Sequence, residues 1–215
     1  MLPLTFAGDR HHPLNLLCLG AHSDDIEIGC GGTVLRLLSE FDETSVCWVV
    51  LGSGGRREEE AVQSAERFLA GAKKKEILVA QFRDGFFPYD GERIKEFFEG
   101  LKVKTSPEII FAPYRHDLHQ DHRLVSELTW NTFRNHLILE YEIAKYDGDL
   151  GSPNLFVRLD DATCQQKVTT LMQCFQSQQH RDWFTADAFF ALLRLRGIES
   201  RARYAEAFHC RKVTV

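Results

Sequence analysis

Three things are scarce in this chain: paired cysteines, long apolar runs and clustered positive charge. Its six cysteines (Cys18, Cys30, Cys47, Cys164, Cys174 and Cys210) include no C-x-x-C pair, and several lie inside apolar runs where a small hydrophobe would serve. That pattern removes a paired-thiol framework and fits reduced, buried thiols in a cytoplasmic protein. No apolar run approaches bilayer-spanning length, and residues 1–13 lack a charged stretch followed by an apolar core, so neither a membrane segment nor a signal peptide is expected. Net charge is -5 and the pI about 6.0, and no basic block stands out beyond Lys73 to Lys75 and the pair Arg56-Arg57. A nucleic-acid or anionic-membrane surface is therefore not expected; the expected partners are a small molecule or another subunit in a homo-oligomer. Linkers, low-complexity segments and solenoid repeats are also missing, so residues 1–215 are expected to form one domain.

What the chain does have is order. The apolar run from Leu14 to Gly20 reads as a strand covered on both faces, and from Gly31 the spacing of Val34, Leu37, Leu38 and Phe41 turns helical. The sequence repeats this strand, loop and helix order three more times. The strands are expected at Ser45 to Leu51, Ile77 to Phe82 and Glu108 to Pro113, and the helices at Arg56 to Ala72, around Ile94 to Leu101, and from His122 to Arg134. Further strands are expected at His136 to Ile143, Leu155 to Leu159 and Arg203 to Val215, with helices at Ala162 to Gln176 and Phe184 to Leu195. Such alternation predicts an α/β, Rossmann-like fold: a mostly parallel sheet with helices on both faces.

Two polar stretches follow strands. Ala21-His-Ser-Asp-Asp-Ile-Glu27 comes after the first, and His116-Asp-Leu-His-Gln-Asp-His122 after the fourth. Either alone also reads as a loop that caps the next helix. Together, at strand ends where such sheets bind ligands, they read as two halves of a metal site. A catalytic zinc ion takes three protein ligands and leaves a position for water or substrate; His22, Asp25 and His122 can supply that set. Asp24 can then take a proton from water, His119 can donate one or stabilise an oxyanion, and Asp121 can orient an imidazole. The segment Gly52-Ser-Gly-Gly55 has Arg57 where a dinucleotide fingerprint needs its third glycine, so that reading fails. Phe86, Phe87 and Tyr89 read as packing residues, and His11, His12, His136, His180 and His209 show no partner pattern.

The first stretch, followed by Gly29-x-Gly-Gly, resembles the A-H-P-D-D-x-E signature of the LmbE-like, or PIG-L, metal-dependent deacetylases, and His119-Gln-Asp-His122 resembles their H-x-D-H signature. The resemblance continues through Arg57-x-x-Glu60, Ser177-Gln178 and Tyr204-Ala-Glu-Ala-Phe208. It implies hydrolysis of the N-acetyl group of an amino-sugar conjugate by a divalent metal, zinc or alternatively iron(II). It also implies His22, Asp25 and His122 as metal ligands, Asp24 as general base, His119 as the group that steadies the oxyanion, and Asp121 as a supporting residue behind the site. Either Arg57 or Arg56 would hold the sugar. Two departures stand out: Ser23 where the signature has proline, and no acidic residue in Gly52 to Gly55. Other readings are a metallohydrolase for a different amide or a phosphoester, and a non-catalytic sugar-binding relative.

Overall fold

A computed structural model describes residue 6 and residues 11–214. The elements run β1 (Leu14–His22), α1 (Asp25–Glu40), β2 (Thr44–Gly52), α2 (Arg56–Phe68), β3 (Lys74–Val79), α3 (Gly91–Lys104), β4 (Ile109–Pro113) and α4 (Gln120–Thr132). They continue with β5 (Leu137–Tyr141), β6 (Leu155–Leu159), α5 (Asp161–Cys174), α6 (Ala186–Glu199) and β7 (Tyr204–Cys210). All seven strands join one sheet in the order β3-β2-β1-β4-β5-β7-β6. The first five pair in parallel, and β7 runs antiparallel to both of its neighbours. The expected mostly parallel α/β sheet is what forms.

Its two faces follow from alternation along each strand. Leu14, Leu16 and Cys18 of β1 pack with α1, α2 and α5 on one face, while Leu17, Leu19 and Ala21 pack with α3 and α4 on the other. Five of the six cysteines are buried and none is bonded to another, consistent with their reading as small core residues. The chain moves outward from β1 to β2 and β3, then returns to the far side of β1 for β4. This reversal opens a crevice at the carboxyl ends of β1 and β4, where both polar stretches emerge.

Helix α1 begins at Asp25, earlier than the expected start at Gly31. Glycines at 29, 31 and 32 lower helix propensity, but tertiary packing outweighs it. A Cβ on Gly29 would lie 2.1 Å from the Tyr141 ring, whose hydroxyl donates to the Leu19 carbonyl at 2.7 Å. The glycine thus lets α1 reach the sheet. Gly29→Ala should destabilise the fold by about 3 kcal/mol, read as a lower urea midpoint; an unchanged midpoint would show that this approach is not constrained.

The carboxyl-terminal strand locks the same helix. Glu206 on β7 accepts from the amides of Gly32 (2.8 Å) and Thr33 (2.6 Å), and Lys167 of α5 reaches both Glu206 and the Ile28 carbonyl (2.7 Å). Each member of this buried ion pair is satisfied by further hydrogen bonds, the condition under which buried charge is tolerated.

Candidate metal centre

His22 is the last residue of β1 and Asp25 the first of α1, so a two-residue turn carries both into the crevice. The His22 amide donates to Asp25 Oδ2 at 2.7 Å, which closes that turn. Ser23 pairs its hydroxyl with that of Ser53 at 2.8 Å, tying the turn to the loop after β2. From the other side, His119 caps α4 by accepting the Asp121 amide on Nδ1 at 3.3 Å, and His122 sits in the first turn of that helix.

Three donor atoms form a small triangle: His22 Nδ1 to His122 Nε2 is 3.1 Å, His122 Nε2 to Asp25 Oδ2 is 3.3 Å, and His22 Nδ1 to Asp25 Oδ2 is 3.5 Å. A tetrahedral zinc site with bonds of about 2.0–2.2 Å has ligand-to-ligand edges of about 3.3–3.6 Å. Two of the observed edges, 3.3 and 3.5 Å, fall in that range, and the edge between the two imidazoles, 3.1 Å, is slightly tighter. Other donor groups also converge: the ring nitrogens of His22, His119 and His122 lie within 4.8 Å of one another, as do donors of His22, Asp84, His119 and Asp121. His119 has already committed Nδ1 to the Asp121 amide, so the triangle with Asp25 is the better-arranged set.

The second nitrogen of each imidazole faces a carboxylate. His22 Nε2 lies 3.2 Å from Asp121 Oδ2 and 3.1 Å from Asp84 Oδ1, and His122 Nδ1 lies 2.8 Å from Asp117 Oδ2. These contacts place a proton on the outer nitrogen of each ring and turn the other lone pair toward the triangle. Asp121 is itself held by the amides of Gly85 (2.6 Å) and Phe87 (3.1 Å). The imidazole that this held carboxylate faces is that of His22. Asp117 and Asp84 have no assigned role in the sequence reading. Asp117 lies inside the second polar stretch, but chain position does not reveal which carboxylate faces which ring.

The electrostatics call for positive charge. Burial alone would lower the His22 and His122 imidazoles, yet Asp25 and the other facing carboxylates push His22 well up and His122 to about 9. Against its own burial, Asp25 is held far below the usual carboxylate range by His122 and His22. A divalent cation would meet the same demand with both rings neutral.

Asp24 differs from Asp25 beside it. Burial, reinforced by the charge of Asp25, raises its carboxyl to about 6 against the opposing pull of Arg57. Its Oδ2 is buried without a hydrogen-bond partner among the described residues. His119 is lowered by burial and by the other two imidazoles, and with Nδ1 accepting, its Nε2 is the N–H donor.

The two arginines separate clearly. Arg57 bonds Asp84 Oδ2 at 2.9 Å, comes within 3.7 Å of Asp24 Oδ1 and keeps its Nε buried and unpartnered among the described residues. Arg56 turns away to Glu60 (3.2 Å) and Gln176 (3.1 Å). Of the loop aromatics, Phe87 is buried in the core as expected, whereas Phe86 and Tyr89 are exposed. His209 stacks on Tyr114 with ring centroids 3.6 Å apart.

Fold and site together define a Rossmann-like α/β protein whose donor group at the strand switch point is able to hold a metal ion. The chain belongs to the PIG-L (GlcNAc-PI de-N-acetylase) family, whose model matches residues 17–133. It is 32% identical over 124 residues to the diacetylchitobiose deacetylase of Thermococcus kodakarensis, a match covering 50% of this chain and 45% of that one. The chain thus spans about half the length of the curated relative it matches. The N,N'-diacetylchitobiose deacetylase of Pyrococcus horikoshii superposes with a TM-score of 0.66 at 21% identity, covering 95% of this chain and 88% of that one. The 4-carboxy-2-hydroxymuconate hydratase of Pseudomonas putida KT2440 does so with a TM-score of 0.70 at 18% identity, covering 94% and 98%. At these identities the likeness of the two structures is one of fold. No helix among the described residues is long and apolar enough to cross a membrane.

Proposed function

We propose that this chain is a zinc-dependent amidohydrolase that removes the N-acetyl group of an amino sugar or its conjugate, with residues 1–215 acting as one catalytic domain. The observation that carries the reading is the unpartnered, buried Asp24 Oδ2 beside a donor triangle of metal-site dimensions. His22, Asp25 and His122 hold the ion, with iron(II) as the alternative metal. When bound, the ion supplies Lewis-acid polarisation of the amide carbonyl and acidifies water.

The residues of the chain do the rest. Asp24, free to accept on Oδ2, takes a proton from the attacking water. His119 donates from Nε2 to the carbonyl oxygen as it gains negative charge. Asp24 then returns the proton to the nitrogen as the C–N bond breaks, leaving acetate and a primary amine. Asp121 acts indirectly: it holds His22 and the loop of Gly85 and Phe87 in place. Arg57, with its buried unpartnered Nε, binds sugar hydroxyls at the mouth.

The test is acetate release from N,N'-diacetylchitobiose and a panel of N-acetylglucosamine derivatives, with metal content measured on the same sample. Metal with acetate release supports the reading. Metal without acetate release from any of them would point to another amide or a phosphoester, and no metal to a non-catalytic relative. Arg57→Met should raise KM about tenfold or more, the worth of a charged hydrogen bond, while Arg56→Met changes it less than about twofold because Arg56 is turned to Glu60 and Gln176. Equal effects would remove the assignment of Arg57.

A further inference from the structure

The side chain of Asp117 makes three contacts within the centre and its frame. Its Oδ1 accepts the His119 amide at 2.8 Å, and its Oδ2 accepts both His122 Nδ1 and Lys145 Nζ, each at 2.8 Å. Lys145 comes from the segment after β5 and also bonds Asp149 Oδ2 at 2.8 Å; the same Asp149 oxygen accepts the Leu118 amide at 2.7 Å. The side chains of Asp117, Lys145 and Asp149 are only 3%, 9% and 6% exposed, so this network is shielded from solvent. A long flexible lysine loses much rotamer freedom when it is held this way. Here it is held against the one oxygen that orients His122.

We infer that Asp117 and Lys145 form a positioning couple that aims His122 Nε2 into the donor triangle and steadies the backbone of His119, so that the segment after β5 sets the metal affinity of the centre. A carboxylate accepting the outer N–H of an imidazole fixes its tautomer and direction and makes its inner nitrogen a better donor. Lys145 pins that carboxylate by donating to the same oxygen that faces the ring. It also balances the charges of Asp117 and Asp149, so that neither carboxylate is driven to turn toward water. Neither residue touches the reacting atoms; both act through His122 and His119. The inference rests on the metal-centre reading above.

The test uses the full chain stripped of metal and titrated with cobalt(II) against a competing chelator, with the visible bands of bound cobalt recorded. Asp117→Asn should weaken cobalt binding roughly 10- to 100-fold, and Lys145→Met about tenfold by the same loss of orientation. Both should shift the cobalt bands. In the Asp117→Asn background, Lys145→Met should add less than about threefold, because its effect runs through the carboxylate already removed. If Asp117→Asn does not fold, the Lys145→Met arm decides by itself. A Lys145→Met protein with a lower melting temperature but wild-type cobalt affinity and bands would make Lys145 a structural residue only and overturn the inference. A wild-type chain that binds no cobalt would overturn the metal-centre reading and this inference with it, an outcome distinct from wild-type binding that the variants share.

Discussion

Asp24→Asn should lower acetate release by roughly a hundred- to ten-thousand-fold, the range that a positioned general base contributes, while the metal content of the purified protein stays unchanged. The substitution preserves the shape of the side chain and removes its ability to accept a proton. Asp24 is suited to that task by its surroundings: burial and the neighbouring Asp25 raise its carboxyl to about 6, close to neutral pH, where proton uptake and release are both accessible. Its Oδ2 is left without a partner among the described residues, whereas the oxygens of Asp121 are taken up by the Gly85 and Phe87 amides. Asp25, one residue on, is directed into the triangle by the first turn of α1. Metal loss in Asp24→Asn would move this residue into the ligand set, and undiminished acetate release would remove it from the reaction.

His122→Ala should abolish both metal retention on dialysis and acetate release. The triangle then keeps only His22 Nδ1 and Asp25 Oδ2, and two donors do not make the three-ligand set of a catalytic zinc site. The effect should appear without any assay of turnover. A ligand that binds only the folded state stabilises it by about 2.7 kcal/mol at a concentration one hundred times its Kd, so added zinc should raise the melting temperature of the wild-type chain and leave that of His122→Ala unmoved. The apo variant should remain folded, because His122 contacts polar groups and the apolar core lies on the two faces of the sheet. A retained zinc shift in His122→Ala would place the ion elsewhere, with the His22, Asp84, His119 and Asp121 group as the next set to remove.

Much of the scaffold was legible along the chain because buried parallel strands are continuous apolar runs and amphipathic helices carry a stripe. The expected segments at Leu155 to Leu159 and Glu108 to Pro113 agree with the observed strands to within a residue at each end. The start of α1 was missed for a reason that lies outside the helix itself. Its glycines look unfavourable until Tyr141, far along the chain, is seen against Gly29. Similarly, β7 was legible as a strand, but its antiparallel place between β5 and β6 depends on partners that its own residues do not name.

The candidate site divides along the same line. The residue types His22, Asp24, Asp25, His119 and His122, and their position just after strands, were determined by the sequence, because short-range spacing decides which side chains a turn can aim together. The approach of the two halves to about 3 Å was decided by the crossover that sets β4 beside β1. Tertiary structure also decided that Arg57 and not Arg56 faces Asp24, since the first turn of α2 directs neighbouring side chains to different sides. Above all it decided the carboxylates behind the imidazoles. Asp121 is the sequence neighbour of His122 and Asp117 lies five residues from it, yet the fold assigns Asp117 to His122 and Asp121 to His22, because a hydrogen bond depends on direction in space and not on distance along the chain.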